Sequence, residues 1–279
     1  MSNLSIPKTY KLFIGGKFPR TESGRILEIR GAKGAFLANA SRASRKDFRN
    51  AVVVSRKAAG AWAKSTAYLK GQILYRIAEV LAGRSSQFEA ELTAQGSSNA
   101  EADVAGAIAL LVHYAGWSDK YQALFSSVNP VASPHFNFSV PEPTGVVSTV
   151  APADGSLTGL VSVMAPVLVG GNSQVILTSG KILSAISFAE VLATSDVPAG
   201  VVNILTGMRD ELVPEFAKHM DVNALLLCSD DDAEKKAVEL EAAENLKRVS
   251  LQADKALSPS PYHILDFQEI KTTWHPVGV

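Results

Sequence analysis

The 279-residue sequence has one cysteine, no net charge and no long unbroken apolar run. A lone cysteine forms no internal disulfide and, by itself, no cysteine-based zinc site, so nothing marks an oxidising compartment. The 27 basic side chains are matched by 27 acidic ones. That balance excludes a nucleic-acid binder held by bulk charge and a polybasic membrane-surface protein. The most apolar stretch, 157–176, is broken by Pro166, Gly170, Gly171 and Asn172. It reads as helix, turn and strand rather than a membrane span. Met1 to Lys8 lack the charged start and apolar run of a signal peptide, so a cytoplasmic protein is expected. There is no internal repeat, low-complexity tract, Gly-x-Ser-x-Gly elbow or Walker-type lysine. The five histidines (His113, His135, His219, His263 and His275) lack metal-ligand spacing and read as surface or packing residues. What is present is core-forming material. Apolar residues make up 47% of the chain against 19% charged, enough for one large domain or two smaller ones.

Local patterns divide the chain. Residues 10–14 and 25–29, the latter after a Ser23-Gly24 turn, read as short antiparallel strands. Ser44 with Asp47 resembles a capping box. Phe48, Val52, Ala59 and Trp62 follow at helical spacing. Further helices are predicted over about 69–82, 87–94 and 101–121. Between 124 and 143, serine, asparagine and proline separate two extended segments of a hairpin-like arm, and 135–140 alternates polar with apolar. After Pro143, strands at 145–150, 174–177, 201–205, 224–227 and 248–251 alternate with helices at about 157–169, 182–193, 209–219 and 231–243. This order predicts an α/β fold: a doubly wound, mainly parallel, Rossmann-like sheet with flanking helices. Ser258-Pro-Ser-Pro261 reads as linker, and 267–274 as one further strand.

Several segments occur in a telling order: Leu12-Phe-Ile-Gly-Gly16, Glu101-Ala-Asp-Val104 with Tyr114-Ala-Gly-Trp117, Glu142-Pro-Thr-Gly-Val-Val147 with Ala151-Pro152, Pro198-Ala-Gly-Val-Val-Asn-Ile-Leu-Thr-Gly207, and Asn245-Leu-Lys-Arg-Val249. Together, over about Lys11 to Leu251, they resemble the aldehyde dehydrogenase superfamily. In that family a catalytic domain carrying the nucleophilic cysteine comes next. Here the chain passes Pro259 and Pro261 and reaches Phe267-Gln-Glu-Ile-Lys-Thr272. That segment resembles the family's Tyr-x-Glu-Val-Lys-Thr, the last strand of its oligomerisation arm. The resemblance implies a member lacking the catalytic domain, similar to the second module of the two-module class. It assigns 1–124 and 141–256 to a cofactor-binding-type domain, and 125–140 with 262–279 to the arm.

The family's chemistry needs a thiolate, an oxyanion donor, a general base and a bound dinucleotide. Cys228 falls where the family has the threonine of Phe-Thr-Gly-Ser, so it reads as structural, and the neighbouring acids raise its pKa. Asp154 stands where an asparagine would offer an N–H, and Gln252 stands at or beside the position of the base. At the cofactor site, Leu177 and Gly180 replace the lysine and glutamate that hold the ribose. Ser229 and Asp230 replace the Gly-Ser under the pyrophosphate, and Asp231 and Asp232 follow. Aspartates at a helix start can be a solvated cap, and the same charges repel phosphate. An Asp154–Asp230 cation pair is the weaker reading beside solvated loop acids.

The resemblance therefore implies a pseudoenzyme with no catalytic residue, metal or functioning cofactor site. Its arm, with Phe136, Phe138, Phe267, Ile270 and Trp274, would bind a full-length aldehyde dehydrogenase paralogue. No nucleic-acid or membrane partner is expected. Two alternatives stay open: an NAD(P)-binding protein with altered or residual activity, and a homodimeric binding module whose arms pair with each other.

Overall fold

The computed structural model describes residues 8–32 and 34–278. The start of the chain, read above for its lack of a signal pattern, lies outside them through residue 7, as does Val279 of the arm. The elements begin with β1 (Thr9–Tyr10), β2 (Ile26–Arg30) and β3 (Phe36–Ser41). Helices α1 (Arg45–Ala63), α2 (Ala67–Gly83), α3 (Ser85–Ala94), α4 (Ala100–Trp117) and α5 (Tyr121–Phe125) follow. Then come β4 (Ser127–Asn129), β5 (His135–Pro143), β6 (Val146–Val150), α6 (Leu157–Val169), β7 (Ser173–Thr178) and α7 (Ile182–Ala193). The chain continues through β8 (Val202–Thr206), α8 (Arg209–Lys218), β9 (Ala224–Cys228), α9 (Asp232–Ala243) and β10 (Arg248–Gln252). It closes with α10 (Tyr262–Leu265) and β11 (Gln268–Pro276).

Local chemistry explains most boundaries. The Ser44 hydroxyl accepts from the Asp47 N–H at 3.2 Å, and the Asp47 carboxylate accepts from the Ser44 N–H at 2.8 Å, a reciprocal capping box for α1. Thr66, Asn99 and Ser156 cap α2, α4 and α6 through their side chains. Two N-terminal expectations are corrected. The segments at 10 and 26 do not pair with each other; both flank β3, with β1 parallel and β2 antiparallel to it. β3 carries no strand signal in its sequence, because alanine fills its inward positions, Ala38 and Ala40, leaving no branched or aromatic alternation. The predicted helix 101–121 is also two elements, since Ser118 to Lys120 turn between α4 and α5.

The central sheet is parallel, in the order β10-β9-β6-β7-β8. Side chains alternate between its faces. Val147, Ile176, Ile204 and Leu226 enter one apolar cluster with α2, α4, α6 and α7. Val146, Val175, Leu177, Leu205 and Leu225 enter a second with α1 and α8. Burial on both faces is what a doubly wound sheet requires.

A separate antiparallel sheet has the order β11-β5-β4, in register from Gln268 opposite Pro143 to Pro276 opposite His135. Its root is fixed to the main body. Asn172 Oδ1 accepts from the Gly145 N–H at 2.8 Å, its Nδ2 donates to the Phe267 carbonyl at 2.9 Å, and Gln268 Nε2 donates to the Gly170 carbonyl at 2.9 Å. Phe267 itself is 1% exposed in the main core, so it anchors the strand and does not face a partner, which corrects its place among the arm residues. The linker-like stretch is tied down as well. Leu257 N–H donates to Ser162 Oγ at 3.0 Å, Tyr114 Oη donates to the Ser260 carbonyl at 3.2 Å, and Ile264 of α10 is fully buried. Among the described residues no helix is long and apolar enough to cross a membrane.

Candidate functional site

In a doubly wound sheet, ligands bind beyond the carboxyl ends of the strands, where the strand order reverses. Here β6, β7 and β8 run to one side, while β9 and β10 lie on the other, so the switch point is between β6 and β9. The loops there are 151–156, after β6, and 229–231, after β9. Asp154, Ser229, Asp230 and Gly180 lie at this carboxyl edge. Leu177 does not: it is 1% exposed and packs in the core between the sheet and α1 and α8.

The edge is closed by the chain's own carboxylates. Asp103, on α4, accepts from the Leu157 N–H at 2.9 Å and the Thr158 N–H at 2.8 Å, filling the first turn of α6. Asp154 accepts from the Ser156 N–H at 3.0 Å, and the Ser156 hydroxyl accepts from the Gly159 N–H at 3.0 Å. Asp231 accepts from the Ala233 and Glu234 N–H groups at 2.8 and 3.3 Å, filling the start of α9. Asp254 accepts from the Ala153 N–H at 2.7 Å, and Asp230 accepts from the Asp254 N–H at 3.1 Å. The N–H groups that would attract an anion to these two helix ends are thus engaged by aspartates and, at Gly159, by the Ser156 hydroxyl.

Two glycines set how closely the loops approach. Gly155 and Gly180 both adopt positive φ, +63° and +71°. A Cβ at Gly180 would stand 2.6 Å from the Ala153 carbonyl oxygen, and one at Gly155 2.1 Å from the Lys181 nitrogen. Lys181 Nζ completes the closure by donating to the Asp154 carbonyl at 2.7 Å. There is no room for a side chain at 180 as the loops lie.

Arg209, at the start of α8, spans the strand ends. It donates to the Ala151 carbonyl at 3.3 Å, to the Cys228 carbonyl at 2.8 Å and to Glu234 at 2.9 Å. Beside it, between α8 and α9, is a cavity of about 180 Å³ walled by Val213, Pro214, Ala217 and Val238. Gln252, at the end of β10, donates through Nε2 to Ser250 Oγ at 3.1 Å, and a carboxamide does not titrate.

The family-wide pattern for aldehyde dehydrogenases matches residues 18–254. The chain belongs to the aldehyde dehydrogenase family. It is 30% identical over 251 residues to a mitochondrial benzaldehyde dehydrogenase of Antirrhinum majus, covering 87% of this chain and 46% of that protein. It is 30% identical over 259 residues to retinal dehydrogenase 2 of Gallus gallus, covering 90% and 49%. Among solved structures, a putative aldehyde dehydrogenase from Burkholderia cenocepacia superposes with a TM-score of 0.83 at 26% identity, covering 87% of this chain and 50% of that one. The chain spans about half the length of the curated relatives it matches.

The one thiol is shut away from solvent. Cys228 is fully buried at the end of β9. Burial, with Asp254 nearby, pushes its pKa up to about 12, against a smaller opposing effect of Arg209. It therefore stays a protonated thiol, and thiolate is the reactive form. A chromogenic disulfide reagent is expected to leave it untouched in the native protein and to titrate one thiol per chain in denaturant. Prompt native reaction would mean that β9 is open at its end.

Among the described residues no three histidine, cysteine, aspartate or glutamate side chains converge to hold a metal. Asp154 and Asp230 are instead engaged with backbone N–H groups. Sequence reasoning missed Asp103, Arg209, Lys181 and Asp254 as parts of this edge. Asp103 lies in the Glu101-to-Val104 motif, but its partners are 54 and 55 residues away, and no local pattern announces such a contact.

Proposed function

We propose that this chain is a non-catalytic member of the aldehyde dehydrogenase family, acting as a structural or regulatory subunit of a full-length aldehyde dehydrogenase. The observation that carries the reading is the filled carboxyl edge: Asp103, Asp154, Asp231 and Asp254 hold the N–H groups of the site. A phosphate entering there meets like charge. Two unit charges 4 Å apart interact by about 4 kcal/mol at an effective dielectric of 20. That is about three decades of affinity, enough to abolish ordinary cofactor binding.

Two further points support it. The thiol is buried, and the chain runs from β10 through 253–267 straight into β11 with no catalytic module between. In the family, the arm adds strands to a neighbouring subunit's catalytic domain, which supplies backbone hydrogen bonds and register. A chain organised this way offers a second copy no such domain, whereas a full-length relative does. Phe136, Ile270 and Trp274, at 45%, 59% and 57% exposure, are the side chains free to face that relative. A lone buried cysteine suits a reducing compartment, and the cytoplasm is the proposed location.

The α8–α9 cavity favours one second reading, an NAD(P)-binding protein with altered activity. Calorimetry with NAD and NADP separates the two: the subunit reading expects no binding tighter than about millimolar. The subunit reading itself is tested by affinity capture of the tagged chain from its native cells. A full-length aldehyde dehydrogenase is expected to co-purify, and to be lost when 267–279 is deleted or, with the core intact, when Ile270 and Trp274 are changed to lysine. Recovery of the chain without any such enzyme removes the reading.

A further inference from the structure

β11 is nine residues long and pairs on one side only, with β5. It stands at the sheet edge with residues 269–272 and 274–276 exposed. A long exposed edge carrying Ile270 and Trp274 is a template for another strand unless it is covered or blunted. Such a strand can come from a second copy only if its own sequence reads compatibly against itself.

We propose that two copies of this chain pair through β11, antiparallel about a two-fold axis at Thr272, so that two three-stranded arms become one continuous sheet. An axis normal to the sheet keeps each face on its own side and places identical residues opposite one another at the centre. Centred on Thr272, all nine residues find partners. Thr272 faces Thr272, Ile270 faces Trp274, Lys271 faces Thr273 and Glu269 faces His275. An aliphatic–aromatic pair and a threonine pair are favourable cross-strand neighbours, and glutamate opposite histidine joins complementary groups. The neighbouring registers are poorer. An axis at Lys271 sets two lysines directly opposite each other, and an axis at Thr273 leaves Gln268 and Glu269 without partners in the strand and sets Ile270 against Pro276. Axes at Ile270 or Trp274 leave nearly half of the strand unpaired.

This pairing uses the edge invoked for the full-length partner and so rests on that arm being an interaction surface. It adds that the free subunit is self-capped, and that a full-length enzyme displaces the second copy to bind.

The test is sedimentation equilibrium of the purified chain, together with cysteine cross-linking. The wild type is expected at twice its 29.6 kDa chain mass. Thr272→Lys is expected to weaken dimerisation at least tenfold with unchanged circular dichroism. Thr272→Cys is expected to form an intermolecular disulfide under mild oxidant, because opposed residues across an antiparallel pair sit within disulfide reach. Ile270→Cys is expected not to, since that register separates the two 270 positions by about 13 Å. Cys228 stays silent because it is buried. A monomeric wild type overturns the proposal, as does a dimer in which position 272 does not cross-link or position 270 does. A monomer that still captures a full-length aldehyde dehydrogenase would sink the self-pairing and leave the subunit reading standing. A dimer cross-linked at 272 that captures no such enzyme would do the reverse.

Discussion

Phe267→Ala is expected to lower the unfolding free energy by about 3–5 kcal/mol, the range for emptying a buried aromatic site. The ring is 1% exposed in the main core, directly before β11. Its backbone carbonyl accepts from Asn172 Nδ2 at 2.9 Å and from the Thr144 N–H at 3.2 Å. Loss of the ring therefore loosens the point where the arm joins the body. Phe136→Ala, on the exposed face of the same sheet, is expected to change stability by no more than about 1 kcal/mol, the scale of its contact with Phe138. Urea denaturation of both variants makes the comparison. Near-equal small losses would return Phe267 to the arm's surface and overturn the anchoring role assigned to it.

The second large effect is expected at Asp103. Asp103→Ala removes the carboxylate that accepts from the Leu157 and Thr158 N–H groups. Hydrogen bonds to a charged group contribute about 1.5–3 kcal/mol, and an anion at a helix N-terminus adds about 0.3–1 kcal/mol. Water reaches this half-buried end and recovers part of that, so a loss of about 2–3 kcal/mol is expected. The emptied helix end then regains affinity for an outside anion. At matched ionic strength, sulfate is expected to stabilise Asp103→Ala more than it stabilises the wild type. Equal sulfate effects on the two proteins would show that this carboxylate is not what keeps anions out, and would weaken the case for a filled cofactor edge.

The fold was largely legible because its signals are local. The capping box at Ser44 and Asp47 spans three residues, and the apolar periods of α1 and α2 repeat within a turn. The alternation of strand and helix after Pro143 needed only short windows, and every strand of the central sheet falls where its branched and aliphatic residues cluster. β3 escaped because alanine gives no strand signal of its own; it is held by pairing with β1 and β2 on both sides. The site was half legible. Asp154, Asp230 and Gly180 were found at the carboxyl edge by their departure from the family's residues. Leu177, next to the last residue of β7, is packed into the core between the sheet and α1 and α8.

Residue identity alone settled three things: the single thiol, the aspartates that begin α9, and the short run of 253–267 that leads to the last strand. These are statements about composition and order, which need no geometry. Tertiary structure decided where the aspartates point and what they occupy. Asp103 reaches the start of α6 because α4 packs against that helix, and Asp254 reaches Ala153 because β10 and β6 both flank β9. Phe267 became an anchor only once β11 returned to the body beside β5. Periodicity reports which residues share a face of one element. Which N–H a distant carboxylate meets, and which aromatic the core takes in, depend on how whole elements pack, and that is fixed only when the chain has folded.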